Sequence, residues 1–342
     1  MKPLVSILIP AYNAELWIAE TLRSALAQTW ERKQIIVVND GSTDGTIESV
    51  RQFEAAGVQL VTQENQGAAA ARNKAFSVCT GDYIQWLDAD DLLAPNKIAR
   101  QMEVLEQCGN RTLASASWGR FLYRYNRAQF VPNALWADLS PTEWLIRKMG
   151  QDLFMQTGCW LVSREITEKA GPWDTRLLGD DDGEYFCRVL LAANEIRFVP
   201  EAKVFYRASG SSSLSYIGHS DKKMVAQWTS MELHIDYIRS LEDSERVNKA
   251  CVNYLQNWLV FFYPSRPDLV RLAEEKARSL GGELRTPRLS WKYSWIEKLF
   301  GWKLAKRAQV LMPRIRWSLQ TSWDRTMFRV ERQSFADTAA GA

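Results

Sequence analysis

The chain has 342 residues, 46% of them hydrophobic and 24% charged, an ordinary balance for a water-soluble globular protein with room for one large domain or two modest ones. A formal net charge of +3 excludes a polyanion binder at the level of the whole molecule, and no window approaches the ~20 apolar residues a membrane span needs. The five cysteines (Cys79, Cys108, Cys159, Cys187, Cys251) are scattered, odd in number and free of any C-x-x-C pair, which argues against a disulfide framework or structural zinc and for a reducing cytosol.

In chain order, the N-terminal apolar run that ends at Pro10 is too short for the core of a signal peptide. "LVSILIP" (4–10), "QIIVVND" (34–40), "VQLVTQ" (58–63) and "DYIQWLD" (82–88) then read as buried strands. Between them, "AELWIAETLRSALAQ" (14–28), "TDGTIESVRQFEAAG" (43–57) and "GAAAARNKAFSVC" (67–79) read as helices, the second capped by Ser42, Thr43 and Asp44 and closed by Gly57. Strands apolar on both faces and separated by helices imply a mainly parallel sheet covered on both sides. Ligands in such sheets bind beyond the carboxyl ends of the strands. Those ends carry Pro10-Ala11-Tyr12-Asn13, Asn39-Asp40-Gly41-Ser42, Gln63 to Gly67, and Asp88-Ala89-Asp90-Asp91.

Residues 112–125 read as a further strand, 141–149 as a helix, 158–171 as a strand and short helix, and "EIRFVPEAKVFYR" (195–207) as a pair of short strands. A second acidic cluster, Asp180-Asp181-Asp182 with Glu184, opens an amphipathic helix; acids in a first turn complement the helix dipole, but this run exceeds what a cap needs. A small-residue loop, 209–215, suits either a lid or a linker, and His219 follows it. From about Tyr216 the pattern is helical without strand signals. Trp291, Trp295, Leu299 and Trp302 are spaced to share one helix face, and between Arg285 and Arg316 basic residues outnumber acidic ones by eight. A tryptophan-faced basic helix reads as a surface for an anionic membrane. Nucleic acid is not an expected partner, since no base-reading module accompanies that charge.

Three aspartates within four residues (Asp88, Asp90, Asp91) repel one another unless something positive lies among them. Four segments taken together, "SILIPAYNAELWIAETLRSALAQTW", "IIVVNDGSTDGT", "NQGAAAARNKAF" and "GDYIQWLDADDLLAPNKI", resemble the family 2 glycosyltransferases, over roughly residues 3–208 when the Asp180 cluster is included. The resemblance implies a GT-A fold, Rossmann-like with a mainly parallel central sheet, and an inverting transfer from a nucleotide sugar, UDP-linked or similar, to a glycan or lipid-linked glycan in surface polysaccharide assembly. It further implies a divalent metal, Mn2+ or Mg2+, at the D-x-D element. Asp90 is then the firmer ligand, Asp88 a ligand or ribose contact, and His219 a candidate to complete the shell. Pro10, Ala11, Tyr12 and Asn13 would floor the nucleotide site, Tyr12 being either a stacking face or a plain core tyrosine. Asp40 would bond the base, Arg72 would reach base or phosphate, and Ala89 would line the donor. Asp91 is expected to be a helix-entry residue.

An acidic pair before a helix carrying an arginine supplies the family's base. Aligning Arg188 with that arginine makes Asp181-Asp182 the pair and Asp182 the base, with the third aspartate leaving the register open by one. The expected organisation is a catalytic domain over 1–215, with its donor half at about 1–110 and its acceptor half at 111–215, then a helical region at 216–335 and a disordered tail at 336–342. A cytoplasmic location is expected, peripheral to the inner membrane.

Overall fold

The computed structural model describes residues 2–208, 220–287 and 290–340; the loop at 209–215 and His219 lie outside them. The first half builds β1 (Val5–Ala11), α1 (Ile18–Leu26), β2 (Lys33–Asp40), α2 (Thr46–Arg51), β3 (Val58–Gln63), α3 (Ala68–Val78) and β4 (Tyr83–Trp86). These strands pair in parallel in the order β3-β2-β1-β4. Val5, Ile7, Leu8, Ile36, Val37 and Ile84 are fully or almost fully buried, as the continuous apolar runs required. The strand order reverses between β1 and β4, so the carboxyl ends of those two strands flank the crevice where a doubly wound sheet binds its ligand.

The chain then adds β5 (Leu92–Leu93), α4 (Lys97–Cys108), β6 (Thr112–Phe121), β7 (Gln129–Phe130), α5 (Pro141–Gln151), β8 (Val162–Ser163), α6 (Arg164–Ala170), α7 (Asp181–Ala192) and β9 (Glu195–Arg207). β8 joins the first sheet antiparallel to β4, while β5-β9-β6-β7 form a second sheet. The expected pair of short strands at 195–207 is one long strand, β9. Its register against β6 jumps from Ala116↔Val199 to Ser117↔Lys203, bulging out Pro200, Glu201 and Ala202; the proline nitrogen has no N–H to give a ladder, and Ser117 Oγ donates to the Pro200 carbonyl instead.

Beyond Ser220 the structure is helical: α8 (Asp221–Leu241), α9 (Glu245–Phe262), α10 (Pro267–Ser279), α11 (Ser294–Phe300) and α12 (Trp302–Ala340). Met231, Ile235, Cys251, Leu255, Phe262 and Ala277 belong to the same buried core as β1 and β4, so no break in the core separates the helical region at 215; packing becomes separate only near Ile296. The tail expected to be disordered from 336 continues α12 as far as Ala340, in keeping with the helix propensity of its alanines. The tryptophan-bearing segment is not one helix either: Gly301 adopts a positive φ of 81° and separates α11 from α12. Trp302 consequently turns inward, its indole N–H on the Pro287 carbonyl and its ring edge-on to Tyr263. Trp295, Leu299 and Phe300 remain exposed.

Candidate active site

The loops after β1 and β2 are knitted together by short polar side chains. Asn13, itself at φ 48°, accepts from the Thr43 N–H through Oδ1 and donates its own N–H to Ser42 Oγ. Asp44 accepts from the Glu15 and Thr46 N–H groups, and burial notwithstanding, those bonds hold its carboxyl below the usual range. Gly41 sits at φ 71°, where a Cβ would come within 2.8 Å of the Asn65 nitrogen, so the turn after β2 admits glycine alone. Tyr12 is 53% exposed beside this turn, which removes it from the core and leaves its ring face open. Pro10 and Ala11 end β1, Ala11 being buried in the sheet.

Asp40 is 2% exposed and accepts from Gln63 Nε2 (2.8 Å), the Gln66 N–H (2.9 Å) and the Gly67 N–H (2.8 Å). In this structure its carboxylate fastens the turn into α3. That turn sets the start of the helix carrying Arg72, and the arginine organises the site. Arg72 Nη2 lies 2.8 Å from Asp88 Oδ1, and Nη1 lies 2.9 Å from Asp181 Oδ2; the guanidinium covers the Trp173 ring at 4.4 Å. One buried cation thus joins two acidic clusters almost a hundred residues apart, instead of standing free toward a base or phosphate. Asn73 adds a second tie, exchanging hydrogen bonds with both backbone groups of Trp173. Trp173 in turn stacks on Tyr185 of α7 with ring centroids 3.9 Å apart.

Within the first cluster the three aspartates have different surroundings. Asp88 is held by Arg72. Ala89 offers its carbonyl to Thr21 Oγ. Asp90 forms no ion pair among the described residues, and burial followed by the Asp88 charge pushes it up to about 6 against the opposing charge of Arg207. Asp91 is not a helix-entry residue: α4 starts after Asn96, and Asp91 is fully buried, accepting from the Arg207 N–H (2.7 Å) and from Gln156 Nε2. Burial, then the charges of Asp90 and Asp88, raise its proton affinity far above a free carboxylate's. Arg207, 1% exposed, bonds the Asp90 carbonyl, the Leu122 carbonyl and Glu20, and lies 4.0 Å over the Trp17 ring.

The second cluster divides in the same way. Asp180 sits at φ 57° and points to α8, accepting from Ser230 Oγ (2.7 Å) and Gln227 Nε2 (3.2 Å). Asp181 takes Arg72. Asp182 meets only the Gly183 N–H (2.9 Å) and Thr157 Oγ (3.4 Å), and burial, then Asp181 and Asp180, push it up to about 7. Arg188 folds back on Glu184 at 2.7 Å and 2.8 Å, so it braces α7 internally. The three aspartates thereby occupy three directions, and Asp182 is the one left available for a proton.

Sequence reasoning missed Arg207, Glu20, Thr157 and Tyr206. The Tyr206 hydroxyl is pushed upward by burial and by Asp91, Asp88, Asp90 and Asp182, which places it amid both clusters. Arg207 and Tyr206 close an apolar strand at its end, the position read as informative elsewhere in the chain, and that was the available signal.

Asp88 and Asp90 are hard oxygen donors, and the raised proton affinity of Asp90 marks a place where positive charge is wanted; these residues fit a divalent cation that draws its remaining ligands from phosphate and water. No group of three or more His, Cys, Asp or Glu side chains suited to a metal occurs among the described residues.

The family model described as Glycosyl transferase family 2 matches residues 6–171. A putative teichuronic acid biosynthesis glycosyltransferase, TuaG of Bacillus subtilis, is 40% identical over 107 residues, 30% of this chain and 42% of that protein. The chain spans 18%, 19%, 34% and 42% of the length of four curated relatives it matches. Among solved structures, S. aureus TarS 1–349 in complex with UDP-GlcNAc superposes with a TM-score of 0.66 at 15% identity, covering 81% of each chain. The mannosyltransferase PcManGT from Pyrobaculum calidifontis in complex with GDP-Man and Mn2+ gives 0.53 at 18% identity, over 95% of this chain and 88% of that one. Both likenesses are of fold.

Proposed function

We propose, from the match of residues 6–171 to Glycosyl transferase family 2, that the chain transfers a sugar from a nucleotide-sugar donor to an acceptor hydroxyl with inversion. One observation carries this reading: Arg72 joins Asp88 to Asp181, which brings the acidic cluster of Asp90 and that of Asp182 to the same guanidinium and favours a single site that draws on both. The acceptor oxygen attacks the anomeric carbon as its proton passes to Asp182, and the bond to the diphosphate breaks, releasing nucleoside diphosphate. Asp88 and Asp90 would hold a divalent cation, Mn2+ or Mg2+, whose charge when present neutralises the departing diphosphate. Pro10 to Asn13 follow β1 and Ala89 follows β4, the two strands that flank the crevice, and this favours a nucleotide there, with Asp40 at the end of β2 acting on the site through the turn it holds. A role in surface polysaccharide assembly, with a glycan or lipid-linked glycan as acceptor, is supported by the name of the Bacillus relative.

No described helix is long and apolar enough to cross a membrane. Trp295, Leu299 and Phe300 are 57%, 70% and 62% exposed, and Lys292 and Lys298 are exposed beside them, an arrangement that favours a peripheral contact with anionic lipid. Liposome sedimentation checks it: equal recovery in the supernatant with neutral and anionic vesicles removes the membrane from the proposal.

The test of the central reading is a panel of uridine and guanosine diphosphate sugars with manganese, followed by thermal stabilisation and diphosphate release. At least one should raise the melting temperature and turn over. If none does either, the assignment falls.

A further inference from the structure

The helical region beyond residue 220 reaches Asp180 through a chain of polar groups buried where they are costly unless paired. Ser230 and His234 on α8 are fully buried, and Tyr254 on α9 is 3% exposed. Tyr254 Oη lies 2.9 Å from His234 Nδ1, His234 Nε2 lies 3.4 Å from Ser230 Oγ, and Ser230 Oγ lies 2.7 Å from Asp180 Oδ2. The directions follow from the chemistry of the members. Burial brings His234 down to about 4, so its ring is neutral near pH 7 and has one donor and one acceptor nitrogen. Burial raises Tyr254, so it keeps its proton. A carboxylate only accepts, so Ser230 must donate to Asp180. Ser230 then accepts from His234 Nε2–H, and Nδ1 accepts from Tyr254. Every donor in the chain points at Asp180, and Gln227 Nε2 supplies one more from 3.2 Å.

Asp180 holds a left-handed backbone (φ 57°) and makes no side-chain cap bond to its own helix. Non-glycine residues enter that region at a cost, and surroundings must hold them there. The next two residues are Asp181, on Arg72, and Asp182. A Cβ at Gly183 would sit 2.0 Å from Asp180 Oδ1, so that residue leaves room for the carboxylate in this one orientation.

We propose that Ser230 and His234 are positioning residues for the reaction: by anchoring Asp180 to α8 they fix the turn that sends Asp181 to Arg72 and leaves Asp182 free to take the acceptor proton. This inference rests on the reading of Asp182 as the base. The charged and titratable groups around Asp180 are Asp181 and Asp182 on α7, His234 on α8, Tyr254 on α9, and, further off, Lys148 on α5.

The experiment uses the full chain with three changes, Ser230→Ala, Ser230→Thr and Gly183→Ala. Ser230→Ala and Gly183→Ala should lower kcat about tenfold or more, with affinity for UDP plus manganese within twofold of the parent, and Ser230→Thr, which keeps the hydroxyl, should recover most of the loss. The Asp182 carboxyl carbon, read by NMR in protein labelled with 13C-aspartate and identified by its loss in Asp182→Asn, should change its titration midpoint in Ser230→Ala and return toward the parent value in Ser230→Thr. Parent kcat and midpoint in Ser230→Ala overturn the inference, as does a loss matched by equal loss of nucleotide affinity. Should Ser230→Ala not fold, His234→Gln carries the same readouts. If the parent turns over no donor, the function proposed above fails while the carboxyl titration still decides this one.

Discussion

The acids at 88–91 and those at 180–182 have nearly the same composition, and the fold sorts them identically. Each set gives one aspartate to structure: Asp91 pins the end of β9 through Arg207, and Asp180 pins α7 to α8. Each gives one to the shared cation, Asp88 and Asp181 on the two arms of Arg72. Each leaves one aspartate that forms no ion pair among the described residues, Asp90 and Asp182, and burial with neighbouring carboxylates pushes these to about 6 and about 7. A run of acids is therefore not a site in itself. The informative member is the one whose charge the rest of the structure does not neutralise, and the two such members fall to different tasks because one lies at the crevice between β1 and β4 and the other at the mouth of a helix.

The largest expected effect separates those tasks. Asp182→Asn should lower transfer by ~10²–10⁴-fold, the usual contribution of a general base, while nucleotide affinity stays at the parent level. Transfer at the parent rate would break the parallel and send the search to Asp181. Next is the cation that joins the clusters. Arg72→Met leaves Asp88 and Asp181 facing each other without compensation, and removing one partner of a buried pair costs about 3 kcal/mol or more. Urea unfolding should show that loss, and manganese should restore part of it by supplying charge on the Asp88 side. A variant as stable as the parent would mean that the two clusters are held together by packing around Trp173 alone.

A smaller effect tests the structural class. Asp324 on α12 resembles Asp91 in having its acceptors committed, to Arg124 Nε (2.7 Å) and the Tyr123 N–H (3.0 Å), and it is 9% exposed. Asp324→Asn should cost about 1–3 kcal/mol, seen as faster hydrogen exchange along α12, because a charge-assisted bond inside the protein is replaced by a neutral one. Turnover should stay near that of the parent if acids of this class serve the fold only.

Much of the first half was legible in the sequence because its determinants are local. Continuous apolar strands and a Gly41 turn follow from short spacings, and the crevice follows from the parallel order. The Asp88 rim reads in the sequence as acids in need of positive charge, and Arg72 on Asp88 supplies part of it. What could not be read was the partner of each charge. Arg72 stands 16 residues from Asp88 and 109 from Asp181, and only the folded chain shows that it spans both. Asp91 looked like a helix-entry residue because Pro95 and a periodic run follow it, yet burial against β9 decided otherwise. The tryptophan face was drawn as a continuous helix because periodicity ignores the backbone freedom of Gly301, which turns Trp302 inward.

The last and smallest effect is a slope with pH, and it sets function against stability at one residue. Burial and two neighbouring carboxylates raise Asp182 to about 7, well above the 3.8 of a free aspartate. A base must be ionised to accept a proton, so transfer should fall about tenfold for each unit of pH below the midpoint of Asp182. A bound dication would favour the ionised form and move the observed midpoint lower. Stability runs the opposite way. Between the unfolded and folded midpoints the native chain binds more protons at this site than the unfolded one, so the contribution of Asp182 to stability is fully present at low pH and is lost as pH rises through the folded value. Asp182→Asn removes the titration, so the variant should gain on the parent in urea resistance as pH rises from about 4 to 7. Parallel stability curves for parent and variant over that range would show that Asp182 does not carry a raised proton affinity.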